Sequence, residues 1–215
     1  MPTTIPHITA REGETGEAAS KLGVLPRTGL CYVDEGLGDR DGRGVLWARC
    51  SHSRDEAGRL TGAPRFGDVH PARQRECMTT FRCQTCVQPA SRTSLGYLFL
   101  QSLPAESKRR AGWTEGLPTA QPPLCLEHAV LATKECAHLA DAGFIALRSR
   151  RPRLLGVIGT EYQLTGRFGL EPVTDEDVLV SYGDARALMF LASQLVRRLC
   201  DVTVVDLAAE AEAAA

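Results

Sequence analysis

The chain has 215 residues, 43% of them hydrophobic and 24% charged, and its formal net charge is -1. That is enough chain for a hydrophobic core in one domain or two closely joined ones, and the balance excludes disorder of the whole chain. Near-neutrality provides no global field to draw the protein onto nucleic acid or anionic lipid, so any such binding needs a local patch.

From the N-terminus, residues 1–20 are polar and carry Glu12, Glu14 and Glu17 without an apolar run, which reads as a flexible arm and not as a signal peptide. No later stretch reaches the ~20 apolar residues that span a bilayer. The expectation is a cytoplasmic protein with no membrane partner. In that compartment thiols stay reduced, so the eight cysteines read as metal ligands or buried hydrophobes before disulfides.

Residues 21–69 read as an N-terminal β-hairpin region, with strands over Gly29–Glu35 and Val45–Cys50 and a Gly/Asp-rich turn between them. Asp39, Asp41 and Gly42 lie in that turn, but the other acidic positions and the closing Glu of a calcium loop are missing. Residues 51–69 lack periodicity and read as an exposed loop. A short helix is expected from His70 to Thr80, with Pro71 in its first turn.

Residues 70–142 read as a zinc-binding module. Cys83-Gln-Thr-Cys86 lies in a tight turn before Pro89, an apolar strand follows over Leu95–Leu100, and residues 101–123 are loop-like. Pro122-Pro123 then introduces a helix from about Leu124 to Asp141, ended by Gly143, with Cys125 and His128 in its first turn. Each two-residue gap lets both side chains of a pair meet one ion about 2.3 Å from sulfur. A helix N-terminus also favours thiolate charge. The four protein ligands imply a closed, structural Zn2+ site at Cys83, Cys86, Cys125 and His128, with no position for an activated water.

A turn with two ligands, then β structure, then two ligands at a helix start resembles the treble-clef zinc finger over residues 81 to about 140. The 38 residues between Cys86 and Cys125 require an insertion in 101–121. Cys136/His138 and Cys50/His52 are further donor pairs that could form a second metal site, the former with Cys77 or His70. Cys31 and Cys200 sit in apolar contexts and read as core.

Residues 143–207 read as a C-terminal α/β region. Strands are expected at Phe144–Arg148, Leu154–Leu164, Val178–Tyr182 and Val202–Val205, and a helix over Ala185–Leu199 with Asp184 as its N-cap. Residues 208–215 read as a flexible Ala/Glu tail. Strands and helices mix without βαβ alternation, so the fold class is α+β: a mixed β-sheet with a few helices and an embedded treble-clef-like zinc module.

Positive charge comes from 22 Arg against Lys21, Lys108 and Lys134, an excess that GC-rich codons account for alongside Ala and Gly. It is locally dense at Arg148, Arg150, Arg151 and Arg153, the candidate contacts for a polyanion. No P-loop, dinucleotide fingerprint, nucleophile elbow or deaminase signature is present. The chain is similar to a group of uncharacterised actinobacterial proteins in His70-Pro71, Cys83-Gln-Thr-Cys86 with Pro89-Ala90, Pro122-Pro-Leu-Cys125 and Ser193-Gln-Leu-Val-Arg-Arg198. This resemblance implies a cytoplasmic actinobacterial setting and brings no activity.

These features favour a zinc-stabilised cytoplasmic binding or regulatory protein whose partner is a nucleic acid or another protein. The alternative is an enzyme of specialised metabolism with a purely structural zinc, its pocket drawn from His70, Glu161, Tyr162 and Tyr182. Nothing in the sequence speaks against a small-molecule ligand.

Overall fold

The computed structural model describes residues 4–166 and 169–214. Its helices and several sheets, most of them antiparallel, place the chain in the α+β class. The chain forms two compact units, each drawn from separate stretches of sequence, one of Met1–Ile8, Arg73–Leu155 and Val196–Ala215, the other of Thr9–Ala72 and Gly156–Leu195. The consecutive segments expected from composition are therefore not the compact bodies, because contacts between distant stretches outweigh neighbourhood in sequence.

The first unit is built on a four-stranded antiparallel sheet in the order Val202–Val205, Phe144–Ser149, Gly96–Ser102, Arg92–Thr93. The two central strands pair from Tyr97↔Ser149 to Ser102↔Phe144. Side chains alternate between faces along a strand. Leu98, Leu100 and Ala146 accordingly pack with Leu124, Ala129 and Leu207, while Phe99 and Leu147 pack with Leu199 on the other face. Both faces are covered, which explains the unbroken apolar run Tyr97–Leu100 where a half-exposed strand would alternate. Gly96 (φ +105°) sits so close to the neighbouring strand that a Cβ would lie 2.0 Å from the Ser149 carbonyl oxygen, so only glycine fits.

Arg148 pairs with Leu98 in register and so points to the same face. There it is 1% exposed, donating from Nε and Nη2 to the two Glu210 oxygens at 2.6 and 2.7 Å and from Nη1 to the Gly96 carbonyl at 3.0 Å. Glu210 belongs to the helix Leu207–Ala213, whose N-cap Asp206 accepts from the amides of Ala208 and Ala209. The expected flexible tail is thus a capped helix with a charged anchor. Within the stretch expected as an N-terminal arm, His7 and Ile8 donate backbone bonds to Thr85 and Gln84 at 3.2 Å, and Thr9–Arg11 is a strand of the second unit.

In the second unit Thr9–Arg11 pairs with Pro64–Val69, in the stretch that reads as a loop. Leu22–Leu25 and Gly29–Tyr32 form the hairpin. The expected partner of the latter, Leu46–Trp47, instead runs parallel to Leu191 and Ala192. Residues 156–165 of the strand Arg153–Thr165 pair with Val178–Ser181 and Gly169–Pro172. Leu30, Tyr32 and Leu46 pack there with Tyr162, Leu170 and Leu191. Asp39 bonds Arg49 Nη2 at 2.7 Å, and Asp41 accepts from Trp47 Nε1 and the Tyr182 hydroxyl, so both carboxylates serve the turn as internal acceptors.

The expected helix over Ala185–Leu199 is a 3-10 turn, Ala185–Met189, followed by the strand Phe190–Arg198. Asp184 does accept from the Arg186 amide, so the capping signal was real while the extension was not. Leu, Ala, Gln and Arg are good helix formers, but the preference is worth under about 1 kcal/mol per residue. Strand pairing overrides that preference here, burying Phe190 and Ala192 in alternation.

Glu210→Ala would leave a buried guanidinium without its counter-charge. Breaking such a pair costs about 3 kcal/mol, to be read as a lowered midpoint in urea; a frayed tail would give no change.

Candidate metal centre

Both ligand pairs are set by local backbone geometry. The first pair sits in a knuckle closed by the Arg82↔Pro89 bridge, in which the Cys83 amide donates to Gln88 O at 2.8 Å and the Val87 amide to Cys83 O at 2.9 Å. Val87 takes the left-handed conformation (φ 63°) that lets the knuckle turn back. The second pair lies at the N-terminus of the helix Leu126–Glu135. Cys125 is its N-cap residue, but its side chain caps no amide; the sulfur instead meets His128 Nδ1 one turn on, at 3.0 Å.

Backbone bonds then lock the pairs together. The Gln84 amide donates to Pro123 O at 3.1 Å, Ser91 to Leu124 O at 2.9 Å, and Leu124 to Leu98 O at 3.0 Å. The segment entering the helix is thereby fixed to the knuckle on one side and the sheet on the other. Donor atoms of Cys83, Cys86, Cys125 and His128 all lie within 4.8 Å of one another. The Cys86 and Cys125 sulfurs are 3.9 Å apart. A tetrahedron with sulfurs about 2.3 Å from its centre has edges of about 3.8 Å, so the thiol spacing already suits a metal. The Cys125–His128 contact is instead of hydrogen-bond length, shorter than the roughly 3.5 Å edge expected for a sulfur and a nitrogen on one ion.

Burial pushes the Cys125 thiol up to about 12 and raises that of Cys86, with the neighbouring thiols reinforcing the effect. Burial thus disfavours the thiolate form of both residues unless a cation compensates. A cation would take the place of their protons. Cys77, fully buried beside the knuckle, is also pushed up to about 12 by burial, and its thiol faces Cys83 O at 3.8 Å. It is a buried hydrophobe and not a fifth ligand.

The other candidates are dispersed. The helix breaks at Cys136, which begins the short helix Ala137–Ala142; His138 is exposed, and neither residue joins a metal-ligating group among the described residues. Cys31 is buried and Cys200 half-buried. Of the four arginines, Arg148 is spent on Glu210, which removes it from any solvent-facing phosphate contact. Arg150, Arg151 and Arg153 remain exposed, Arg151 with its Nε 2.6 Å from Asp201. Tyr162 packs in the core of the second unit, Tyr182 bonds Asp41, and Glu161 faces Arg186 at 3.8 Å, so these three do not converge on a pocket. His70 does join a group, with Glu14 and His52. Sequence spacing could not show it, since its members come from three separate stretches.

No family model, curated protein or solved structure matches this chain. No helix among the described residues is long and apolar enough to cross a membrane.

Removing Cys125 should release the metal and expose residues 81–140, because binding energy at such a centre is largely folding energy. Cys125→Ala and chelator-treated wild type should both melt earlier and be cut by protease within that region. A variant that melts like wild type would refute a structural role. Because uptake displaces the protons of Cys86 and Cys125, metal retention should fall as pH is lowered, measured by competition with a chromophoric chelator.

Proposed function

We propose that the Cys83, Cys86, Cys125 and His128 centre holds one structural Zn2+, and that the protein is a cytoplasmic binding or regulatory protein whose zinc-bearing unit contacts a nucleic acid. Three thiolates and one imidazole are a donor set that zinc prefers, and four protein ligands fill its tetrahedron. Zinc chemistry at this centre is therefore organisation of the fold, with no water activated on it. The succession of knuckle, hairpin and ligand-bearing helix supports the treble-clef-like reading.

The division of charge carries the nucleic-acid reading. The zinc-bearing unit has 14 Lys and Arg against 10 Asp and Glu, a net +4, while the other unit has 11 against 16, a net -5. The chain's near-neutrality is thus the cancellation of two opposed charges. Within the basic unit, Arg150, Arg151 and Arg153 are exposed in and beside the short connection between the strands Phe144–Ser149 and Arg153–Thr165. Guanidinium groups presented on a tight turn suit contact with backbone phosphates.

Metal analysis of the purified protein should give about one tightly held zinc per chain. Three phosphate contacts predict a log–log salt slope of roughly -2 to -3 for DNA or RNA binding. Replacing Arg150, Arg151 and Arg153 by Ala should abolish retention on a polyanion column and flatten the slope. Unchanged retention would overturn the nucleic-acid reading and leave another protein as the partner.

A further inference from the structure

We infer that Glu14, His52 and His70, in the second unit, form a separate and open site for a divalent transition-metal ion. The three residues are 38 and 18 positions apart in sequence, and backbone pairing within the unit brings them together. Residues 15–16 run beside 50–51: Gly16 bridges Cys50, and the Ser51 amide donates to Thr15 O at 2.9 Å. This sets Glu14 beside His52. His70 is brought to the same point by its Nε2 contact with the Ser51 carbonyl oxygen at 3.2 Å. A Glu14 oxygen and one ring nitrogen from each histidine lie within 4.8 Å of one another.

Each buried donor is oriented by the backbone. Glu14 is 2% exposed; its Oε2 accepts from the Arg11 amide at 2.7 Å and its Oε1 from the Ser53 amide at 3.4 Å. His70 is fully buried, with Nε2 3.2 Å from the Ser51 carbonyl oxygen. A carbonyl can only accept, so Nε2 is the donor in that contact, and the ligand atom toward an ion would be Nδ1. An imidazole whose N–H is fixed by a carbonyl is the usual state of a metal-bound histidine. His52 is the exposed member; its ring stacks on His70 with centroids 4.5 Å apart, and sharing one ion requires it to turn toward that ion.

The chemistry differs from that of the cysteine centre. Two imidazoles and a carboxylate suit zinc, cobalt, nickel or ferrous iron over magnesium or calcium, and they exclude the thiolate character of the first site. Three protein ligands leave at least one coordination position, which falls to water or to an exchangeable anionic ligand entering from the exposed His52 side. Such an open site is the kind that activates water, whereas the four-ligand centre is closed.

The test uses the full chain carrying its first, tightly held zinc, titrated with Zn2+ by calorimetry and with Co2+ by visible absorption. A second equivalent is expected, with cobalt bands that lack thiolate charge transfer. His52→Ala, at an exposed position, should keep the melting temperature of the one-zinc protein and lose the second equivalent. Glu14→Gln, which can still accept the Arg11 amide, should weaken that equivalent by more than the roughly 10- to 100-fold cost of losing an outer-shell partner. Saturation of wild type at one equivalent would overturn the site. So would a second equivalent that survives His52→Ala, or one that shows thiolate charge transfer and so belongs to Cys50.

Discussion

The first unit depends on holding two short chain segments, 38 residues apart, with four donor side chains facing one point. A single backbone bond, from the Gln84 amide to the Pro123 carbonyl, joins the knuckle to the approach of the helix. The neighbouring bonds of Ser91 and Leu124 extend that link to the sheet. Cys83 is fully buried in the same cluster as Leu98, Leu100 and Leu207. The donor cluster is therefore part of the core and not an appendage to it, and the cluster, the sheet and the terminal helix share one packing unit. Burial of this kind is costly for thiolates unless a cation compensates, as the raised Cys86 and Cys125 thiols express.

The same face of the sheet explains the fate of the arginine cluster. Register places Arg148 inward, opposite Leu98, while Arg150 beyond the strand end is exposed. A buried guanidinium has to be paired, and Glu210 on the last helix supplies the carboxylate. One side chain that looked like a ligand contact is thus a fastener for the C-terminus. Its exposed neighbours keep the positive charge that distinguishes this unit from its acidic counterpart.

Two metal-ligating groups of different character follow from this architecture. On the proposed reading the cysteine-rich one is closed by its own fourth ligand and tied to folding. The Glu–His–His group is held by the pairing of residues 15–16 with 50–51 and by the contact of His70 with the Ser51 carbonyl, and one of its members is exposed. Structural stability and reactivity with exogenous ligands would then reside in different units, each with a donor set suited to its role.

The sequence by itself determined what is local. Cys83-x-x-Cys86 and Cys125-x-x-His128 were legible because two-residue gaps bring donors together within one turn, whatever the rest of the chain does. The helix from Pro71, the halt at Gly143, the capping by Asp184 and the strand Val202–Val205 were legible for the same reason: each rests on neighbours within a few residues. Only the tertiary structure decided what rests on distant pairing. It made a strand of Phe190–Arg198 against its helical composition, because cross-strand packing is worth more than a weak propensity. It moved Leu46–Trp47 to a parallel partner some 145 residues away, made a helix of Leu207–Ala213, and turned Arg148 inward by a period-2 register that composition does not encode. Glu14, His52 and His70 belong to the same class. No spacing rule joins residues brought together by the pairing of three separate segments, so their proximity exists only in the fold.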